Sequence, residues 1–350
     1  MRRIGRKKRT KQKKVLIVST LCLLLLLTAG YAAFQTNLNI TAKGNIKERN
    51  NLYVSASGSD TKGNGTREKP YQTIQKAYNS AWDNATIYIM TDLQVSKTIL
   101  FDQNKNIILQ SETDNHKLTR YNMKDYILEI TSGETTITNL TFDGENKESN
   151  GSLIYAQGTE INQGTLTFGE NAIFQNNIDT IDAGGGVFWQ FFTVNIDGAK
   201  FLNNKTDAGG GGFLSKDSNV TINYAEIIGN QALNGGGFFT VRDTVLINNI
   251  IIKNNSATLG GGINISSSTL TMNNGEITGN AALKLGGGIM VGRLFASDQY
   301  PIGYLNIYNG KITNNSAQNG GGIAIENSSS FTNQSAIIQE NTPDNVFNNN

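Results

Sequence analysis

A run of three glycines recurs six times in the second half of the chain and restricts the possible folds more than any other feature. The runs occupy residues 184–186, 210–212, 235–237, 260–262, 286–288 and 320–322. The steps between them are 26, 25, 25, 26 and 34 residues. A period of this size is typical of proteins that stack one structural unit on the next.

Each repeat also ends in an asparagine at a nearly constant distance from its glycines. In four repeats this residue falls 20 positions after the first glycine, at Asn204, Asn230, Asn255 and Asn280. In the fifth repeat it is Asn315, nine positions late, which localises an insertion to residues 293–301; in the last repeat it is Asn341. We expect this column to be structural, because stacked Asn side chains can hydrogen-bond along the stack and satisfy turn backbone.

Each repeat contains three short apolar stretches, for example residues 263–265, 270–272 and 276–278. They are three to five residues long and rich in β-branched types, which favours strands over helices. Gly, Asn and Ser separate them, and these residues tolerate turn conformations. One unit cannot bury its apolar edge alone. We therefore predict a parallel β-solenoid in which each strand pairs with its equivalents in the neighbouring units.

Weaker signals extend this domain towards the N-terminus. Fainter turns begin near Thr86, Ile107, Tyr126 and Leu153, which brings the expected number of turns to about ten. The predicted β-helix domain spans residues 51–345, and a polar tail follows at 346–350. That tail offers little to cover the final strand edge, so we expect the C-terminal edge to be poorly protected.

A short helix is predicted at the start of the domain. Ile74, Ala77, Tyr78 and Ala81 follow the i, i+3, i+4, i+7 spacing of one helical face. Such a helix can lie over the first turn and cap it.

The composition agrees with frequent turns and excludes two kinds of site. The chain has 46 Asn and 38 Gly but only 3 Pro. Its single cysteine, Cys22, excludes a disulfide framework. With His116 as the single histidine, a Cys/His zinc site is excluded as well.

The N-terminus has the layout of an export segment. Residues 1–14 hold nine Lys or Arg and no acid, and residues 15–34 are uncharged and largely apolar. Twenty such residues can span a bilayer as a helix, with the basic end in the cytoplasm; a cleaved signal peptide has a similar layout. Both alternatives stay open. Residues 35–50 are predicted to be a polar linker, and the rest to be exported to the cell surface, anchored or secreted.

The charge is divided unevenly along the chain. The whole chain carries +2, so removing the nine positive charges of residues 1–14 leaves −7 for the remainder. An acidic body argues against a nucleic-acid partner, because phosphate binding requires clustered positive charge. The membrane is an expected partner through residues 15–34 if they are not cleaved.

Two stretches resemble known proteins. Residues 52–93 (LYVSASGSDTKGNGTREKPYQTIQKAYNSAWDNATIYIMTDL) resemble the entry segment of right-handed parallel β-helix proteins of the pectin-lyase-like superfamily. The Gly-Gly-Gly-Ile units with their following Asn resemble the repeats of bacterial surface β-helix proteins, including polymorphic outer-membrane adhesins. The resemblance covers about residues 52–345. It implies an all-β, right-handed parallel β-helix on the cell surface.

The resemblance also implies where an enzyme of this kind would carry its chemistry. Members that cleave acidic polysaccharides have an exposed Asp cluster with Lys or Arg, often with Ca²⁺, and hydrolytic members use paired carboxylates. The acids near the glycines do not repeat at one phase, so no catalytic set is assigned. Under the enzyme alternative the candidates are Asp182, Asp207 and Arg242, with Ca²⁺ as an additional possibility. Otherwise we expect no cofactor and no metal.

A binding surface is predicted on the strand that follows each glycine run. Side chains alternate along a strand, and the second position of this strand should face outward. Apolar residues at that position are Phe188, Leu214, Phe239 and Met290. An exposed apolar stripe tends to mark a contact surface. A loop such as residues 293–301 folding over it, or a phase error of one residue, would remove the stripe.

These observations favour an exported, non-catalytic adhesin or glycan-binding module, with a glycan or a surface protein as ligand. Two alternatives remain. One is a divergent polysaccharide lyase or glycoside hydrolase acting on acidic polysaccharides. The other is a purely structural surface or matrix spacer.

Overall fold

The computed structural model describes residues 19–20, 50–181, 184–292 and 301–349. The basic segment 1–14, the anchor or signal segment 15–34 and the linker 35–50 lie outside the described residues, apart from Ser19, Thr20 and Asn50. Within the described residues, no helix has the length and apolar character needed to cross a membrane.

The domain from residue 50 onward consists of one short helix, α1 (Ile74–Ser80), and a long series of short strands. The first strands are β1 (Asn51–Val54), β2 (Ala85–Ile89), β3 (Leu93–Val95), β4 (Ile99–Phe101), β5 (Asn106–Ser111), β6 (His116–Arg120), β7 (Leu128–Ile130), β8 (Glu134–Thr138), β9 (Leu140–Asp143), β10 (Glu148–Ser149), β11 (Ile154–Gln157), β12 (Gly164–Phe168), β13 (Ala172–Gln175), β14 (Ile178–Asp179), β15 (Val187–Gln190), β16 (Phe192–Leu202) and β17 (Lys205–Thr206). The remaining strands are β18 (Phe213–Lys216), β19 (Asn219–Ile228), β20 (Phe238–Val241), β21 (Thr244–Ile247), β22 (Ile251–Lys253), β23 (Ser256–Leu259), β24 (Ile263–Ser266), β25 (Thr269–Met272), β26 (Glu276–Thr278), β27 (Ala281–Leu285), β28 (Ile289–Gly292), β29 (Tyr304–Ile307), β30 (Lys311–Thr313), β31 (Ile323–Glu326), β32 (Ser330–Asn333), β33 (Ile337–Gln339) and β34 (Val346–Asn349).

The strands stack into three long parallel sheets. Sheet 1 contains β1, β2, β5, β8, β12, β16, β19, β21, β25, β29 and β32, in stacking order. Sheet 2 contains β3, β6, β9, β13, β16, β19, β22, β26, β30 and β33. Sheet 3 is the 10-stranded sheet of β4, β7, β11, β15, β18, β20, β24, β28, β31 and β34. Sheets 1 and 2 join into one 19-stranded sheet because β16 and β19 run through both.

The chain visits each sheet once per coil, as the predicted solenoid requires. In one unit the three predicted strands are β24, β25 and β26, and each pairs in parallel with the equivalent strand of the next unit. The prediction of a parallel β-helix of about ten turns is therefore confirmed. The short strands that follow, such as β23 and β27, form a further parallel ladder at one corner, which the sequence pattern did not reveal.

The core is a column of apolar side chains inside the coils. The inward residues of sheet 2, including Phe142, Phe174 and Phe201, lie directly above one another, and neighbouring ring centroids are 5.5 and 5.2 Å apart. Phe213 and Phe238 are paired in the same way in sheet 3, with ring centroids 4.7 Å apart. Stacking like on like follows from the parallel register, because equivalent residues are neighbours in space.

A ladder of buried asparagines runs along the corner between sheets 2 and 3. It comprises Asn177, Asn204, Asn230, Asn255, Asn280, Asn315 and Asn341. Asn255, for example, donates its backbone N–H to Oδ1 of Asn280 (3.0 Å) and its amide Nδ2 to the same oxygen (2.9 Å) and to the Ile227 carbonyl (2.9 Å). The predicted structural role of this column is confirmed.

Arg120 terminates this ladder at its N-terminal end. From Asn204 onward each amide donates towards the C-terminus, and Oδ1 of the first member, Asn177, accepts from Nη1 of Arg120 at 2.6 Å. The guanidinium also donates to the carbonyls of Asp125, Gly151 and Ser152. Burial lowers the pKa of Arg120 to about 10, so the side chain stays charged at neutral pH. A positive charge suits the acceptor end of an aligned row of amide dipoles.

Non-repetitive chain covers part of the N-terminal end of the solenoid, at β1, β2 and β4. The backbone N–H of Tyr53 in β1 donates to Gly65, and that of Tyr71 donates to the Tyr53 carbonyl. Helix α1 contacts β1, β2 and β4 and buries Ile74, Ala77 and Tyr78.

Both the insertion and the C-terminal strand can be located from the register. Ser266 pairs with Gly292 and Thr269 with Tyr304, so the extra residues lie between Gly292 and Tyr304, where the spacing predicts them. Residues 293–300 themselves lie outside the described chain. The segment expected to be a polar tail forms β34, which pairs with β31, because Val346 and Phe347 continue the apolar pattern of sheet 3. The solenoid thus extends to Asn349.

The buried ladder predicts a large difference between two asparagines of the same coil. Replacing Asn255 by Ala leaves buried donors and acceptors unsatisfied and should lower the free energy of unfolding by about 3 kcal/mol or more. Replacing Asn248, which exchanges hydrogen bonds with Asn223 and Asn273 on the exposed surface, should cost less than about 1 kcal/mol. Urea unfolding of both variants tests this. Equal losses of unfolding free energy would show that the buried ladder does not stabilise the fold more than the exposed hydrogen bonds do.

Candidate functional site

The four residues of the predicted apolar stripe do lie in one file along sheet 3. Phe188 pairs with Leu214, and Leu214 pairs with Phe239. After Asn264, the file continues through Met290 to Ala324. The assumed phase was therefore correct.

The expectation that this file is exposed is wrong. Phe188, Leu214 and Met290 are only 8%, 6% and 5% exposed, and Phe239 is half-buried. A Cβ added to Gly209 would lie 2.5 Å from Cδ1 of Phe239, so the corner backbone that precedes β18 lies directly against Phe239 of the next coil. Phe188 and Leu214, together with Val241 and the half-buried Tyr155 and Phe239, form a second, small apolar cluster outside the main core and do not offer a contact stripe.

The residues named for the enzyme alternative do not converge. Asp207 is exposed at the corner that precedes β18. Arg242 follows β20, so the two residues lie at opposite ends of neighbouring strands of sheet 3. Asp182 lies outside the described residues. Across residues 50–181, 184–292 and 301–349, no three His, Cys, Asp or Glu side chains are grouped as metal ligands would be.

Arg242 instead belongs to an ion pair with Asp217 of the preceding coil. Its Nε and Nη2 donate to the two carboxylate oxygens, each at 2.6 Å, and Gln190 donates to the same carboxylate at 2.7 Å. A shallow cavity of about 250 Å³ lies beside this pair, next to Glu160 and Phe191. The planar, bidentate geometry fixes both side chains.

A buried carboxylate, Asp243, lies next to this pair. It occupies a position at which the neighbouring coils have Ser218 and Ser268. Its oxygens accept from the Ser218 N–H (2.7 Å) and from the Thr240 hydroxyl (2.6 Å). Burial raises the pKa of the Asp243 carboxyl to about 7, and these hydrogen bonds only partly offset that effect.

The outward side of sheet 1 carries a surface that we call the threonine face. Its first column is Thr165, Thr193, Asn219, Thr244, Thr269, Tyr304 and Ser330. Its second column is Thr167, Asn195, Thr221, Leu246, Thr271, Asn306 and Thr332. Every one of these residues is exposed or half-buried, whereas the residues between the two columns, such as Val194 and Leu270, are buried, apart from the half-buried Phe331 of the last coil.

The strand geometry makes this face a regular array. Successive members of a column are about 4.8 Å apart, and the two columns are separated by two residues along the strand, about 6.7 Å. Within a column, side chains also contact one another: the Thr332 hydroxyl donates to Oδ1 of Asn306 at 2.8 Å. From Thr165 to Ser330 and from Thr167 to Thr332 neither column contains a charged residue; on the preceding coil the first column continues to the exposed Glu134.

Sheet 2 differs sharply on its outward side. Lys200 pairs there with Glu226 (3.2 Å), and Lys253 pairs with Glu276 (3.1 Å). Hydroxyl and amide groups are therefore concentrated on sheet 1 and charges on sheet 2. The absence of charge is therefore a property of the threonine face, and it holds neither for the whole of sheet 1, which carries Glu134 on the preceding coil, nor for the outward side of sheet 2.

The threonine face was missed in the sequence although a signal for it exists. The middle strand of alternate units reads Thr-Leu-Thr at 165–167, Asn-Val-Thr at 219–221 and Thr-Leu-Thr at 269–271. Such alternation of polar and apolar residues marks a strand with one solvated side. The apolar residues of the strand after the glycines led instead to the prediction of a binding surface on sheet 3.

No protein family model matches the chain. No curated protein matches it either. Among solved structures, the chain is similar to a rhamnogalacturonan lyase, with 13% sequence identity, a TM-score of 0.30, and coverage of 82% of this chain and 86% of that chain. A likeness this distant carries no argument about activity.

The buried carboxyl predicts a pH-dependent stability. The unfolded chain releases the Asp243 proton near pH 4, whereas the folded protein holds it up to about pH 7. The contribution of this group to stability is therefore complete below pH 4 and is lost as the pH rises to about 7. Between pH 5 and pH 8 the loss should be on the order of 2 kcal/mol.

Replacing Asp243 by Ser, the residue of the neighbouring coils, should flatten this dependence. Urea unfolding at pH 5 and pH 8 measures it, with Asp207→Ser as the matched control at an exposed position. A parent protein and an Asp243→Ser variant with the same pH dependence would show that the carboxyl is ionised in the folded state.

Proposed function

We propose that this chain is an exported cell-surface protein whose β-helix binds a neutral glycan without cleaving it, in the manner of an adhesin. The observation that carries the proposal is the threonine face, a solvated array of hydroxyl and amide groups in parallel register and without charge. The N-terminal basic and apolar segments support export and, if residues 15–34 are retained, attachment to the membrane.

The chemistry of the face suits sugar hydroxyls. Threonine hydroxyls both donate and accept hydrogen bonds, and asparagine amides offer two donors and an acceptor. Leu246 and Tyr304, both exposed, add apolar surface against which the face of a sugar ring can pack. A ligand can therefore make polar and apolar contacts on the same strip of sheet.

The repetition of the face suits a polymer. Each coil presents the same kind of group at about 4.8 Å intervals, so a chain with a repeating unit that lies along the stack can contact one coil after another. Several weak contacts held on one rigid support add to a useful total affinity without any deep pocket. This accounts for binding in a protein whose described cavities are shallow.

The distribution of charge favours a neutral ligand over an acidic one. An acidic polysaccharide would find no cation on the threonine face, and the chain after residue 14 carries −7. Long-range repulsion would therefore oppose its approach. The candidate residues of the alternative, a lyase or hydrolase acting on acidic polymers, give it no support, because Asp207 and Arg242 lie at opposite ends of the strands of sheet 3.

The proposal predicts that added charge on the threonine face weakens glycan binding. The double variant Thr221→Lys/Thr271→Lys places two cations on either side of Leu246 and should bind neutral polymers at least tenfold less tightly, a loss of about 1.4 kcal/mol. Affinity of the full-length chain for cellulose, chitin and xyloglucan particles, measured by depletion isotherms, tests this. Binding of the parent should change little between low and high salt, because no ion pair is involved.

The matched control is Ile251→Lys/Thr278→Lys, which adds the same charge to the outward side of sheet 2 in the adjoining coils. It should bind as the parent does. Equal binding by both double variants would remove the threonine face from the proposal. Release of new reducing ends or of unsaturated uronate from any polymer would favour the enzyme alternative, and no saturable binding would favour the spacer.

A further inference from the structure

The three sheets begin differently at the N-terminal end of the solenoid. The outer edge of β1 is hydrogen-bonded by the chain at residues 65–71, as described above. The outer edge of β4 is occupied by a side chain: the amide of Gln75 accepts from the Leu100 N–H at 2.7 Å and donates to the Leu100 carbonyl at 3.1 Å. Gln75 thus takes the place of a neighbouring strand.

Among the described residues, the outer edge of β3 has no such partner. The Val95 carbonyl accepts from the Tyr121 N–H (2.8 Å) on the side of β6. Because backbone groups of successive residues point to opposite sides of a strand, the N–H and C=O of Gln94 point away from β6. Within residues 50–181, 184–292 and 301–349, no hydrogen bond reaches these two groups.

A cavity of about 280 Å³ lies against this edge, and we call it the strand notch. Its floor is formed by Ile74, Leu93, Val95 and Ile99, and its rim includes Gln72, Gln94, Ser96 and Lys97. Leu93 and Val95 remain 7% and 8% exposed, whereas Leu118 and Phe142, which follow Leu93 in the same column, are completely buried. The notch therefore occupies the place of one missing strand of sheet 2.

The charge at the notch indicates which kind of segment can fill it. Lys97 is exposed and, in the part of the chain that the structure describes, is the only charged residue that lines the notch. A lysine on a free edge disfavours pairing with another uncharged or basic strand, but it attracts a strand that carries carboxylates.

We propose that the strand notch binds an extended acidic segment of a partner protein, which adds to sheet 2 as one further parallel strand. The segment exchanges main-chain hydrogen bonds with Gln94, covers Leu93 and Val95 with an apolar side chain, and places a carboxylate beside Lys97. This site is independent of the glycan binding proposed for the threonine face. It gives the surface protein a means of attaching to a second protein.

The test uses a fluorescein-labelled peptide, Thr-Val-Thr-Val-Asp-Asp with blocked ends, and the full-length chain. Gln94→Pro removes the outward N–H of β3 while leaving the hydrogen bonds between β3 and β6 untouched, because Gln94 does not take part in them. Fluorescence polarisation should show at least tenfold weaker binding to this variant. The matched control Gln94→Ala keeps the backbone N–H and should bind as the parent does.

A second variant guards against misfolding of the proline variant. Lys97→Glu leaves the backbone unchanged and should reverse the preference, so that a peptide ending in Lys-Lys binds more tightly than the one ending in Asp-Asp. The proposal is overturned if the parent does not bind the acidic peptide at millimolar concentration, or if Lys97→Glu leaves the preference unchanged. It is also overturned if the parent is a dimer that Gln94→Pro converts to a monomer, since the occupant is then a second copy of the chain.

Discussion

Parallel register between successive coils is the constraint on which the rest of this molecule depends. Once equivalent residues lie directly above one another, every property of one coil is repeated along the axis: an inward phenylalanine becomes a stack, a corner asparagine becomes a ladder, and an outward threonine becomes a column. The register is held by the strand hydrogen bonds and, at the corner, by asparagine amides that bond to the next coil and to the backbone of the preceding one. Because these amides are buried, a shift of the register would leave many polar groups without partners at once.

The same constraint separates the surface into faces of different chemistry. The two sheets that share β16 and β19 have the same backbone, yet sheet 2 carries ion pairs such as Lys200–Glu226 and sheet 1 carries hydroxyl and amide groups. A single replacement on a globular surface alters one contact, whereas a preference repeated over many coils creates an extended surface of one character. Binding to a repeating ligand requires that kind of surface, and it can arise here without a loop or a cavity.

The sequence contained enough to predict the architecture but not the exposure of its parts. The spacing of the glycines and asparagines gives the coil length directly, so the three strands of each unit and the place of the insertion could be predicted by counting.

The positions of Phe188 and Leu214 in one outward file were predicted as well. Their burial was not, because alternation tells which side of a strand a residue faces and not what lies over that side. At Phe239 the covering element is the corner backbone of the preceding coil, and Gly209 permits its close approach. The N-terminal coils were predicted less accurately, because no glycine run marks where each coil begins. Thr86 and Ile107 fall in sheet 1, whereas Tyr126 and Leu153 precede strands of sheet 3.

The burial of Asp243 could not be predicted either, because nothing near it in the chain distinguishes it from an exposed acid such as Asp207.

One coil accommodates extra residues between Gly292 and Tyr304 while the ladders on both sides keep their pairing. The insertion does not change the pairing between coils, because it lies between two strands and not within one. Equivalent bends in the other coils should tolerate foreign peptides of similar size. A domain built in this way can serve as a display scaffold, with grafted epitopes arranged at the regular spacing of the coils.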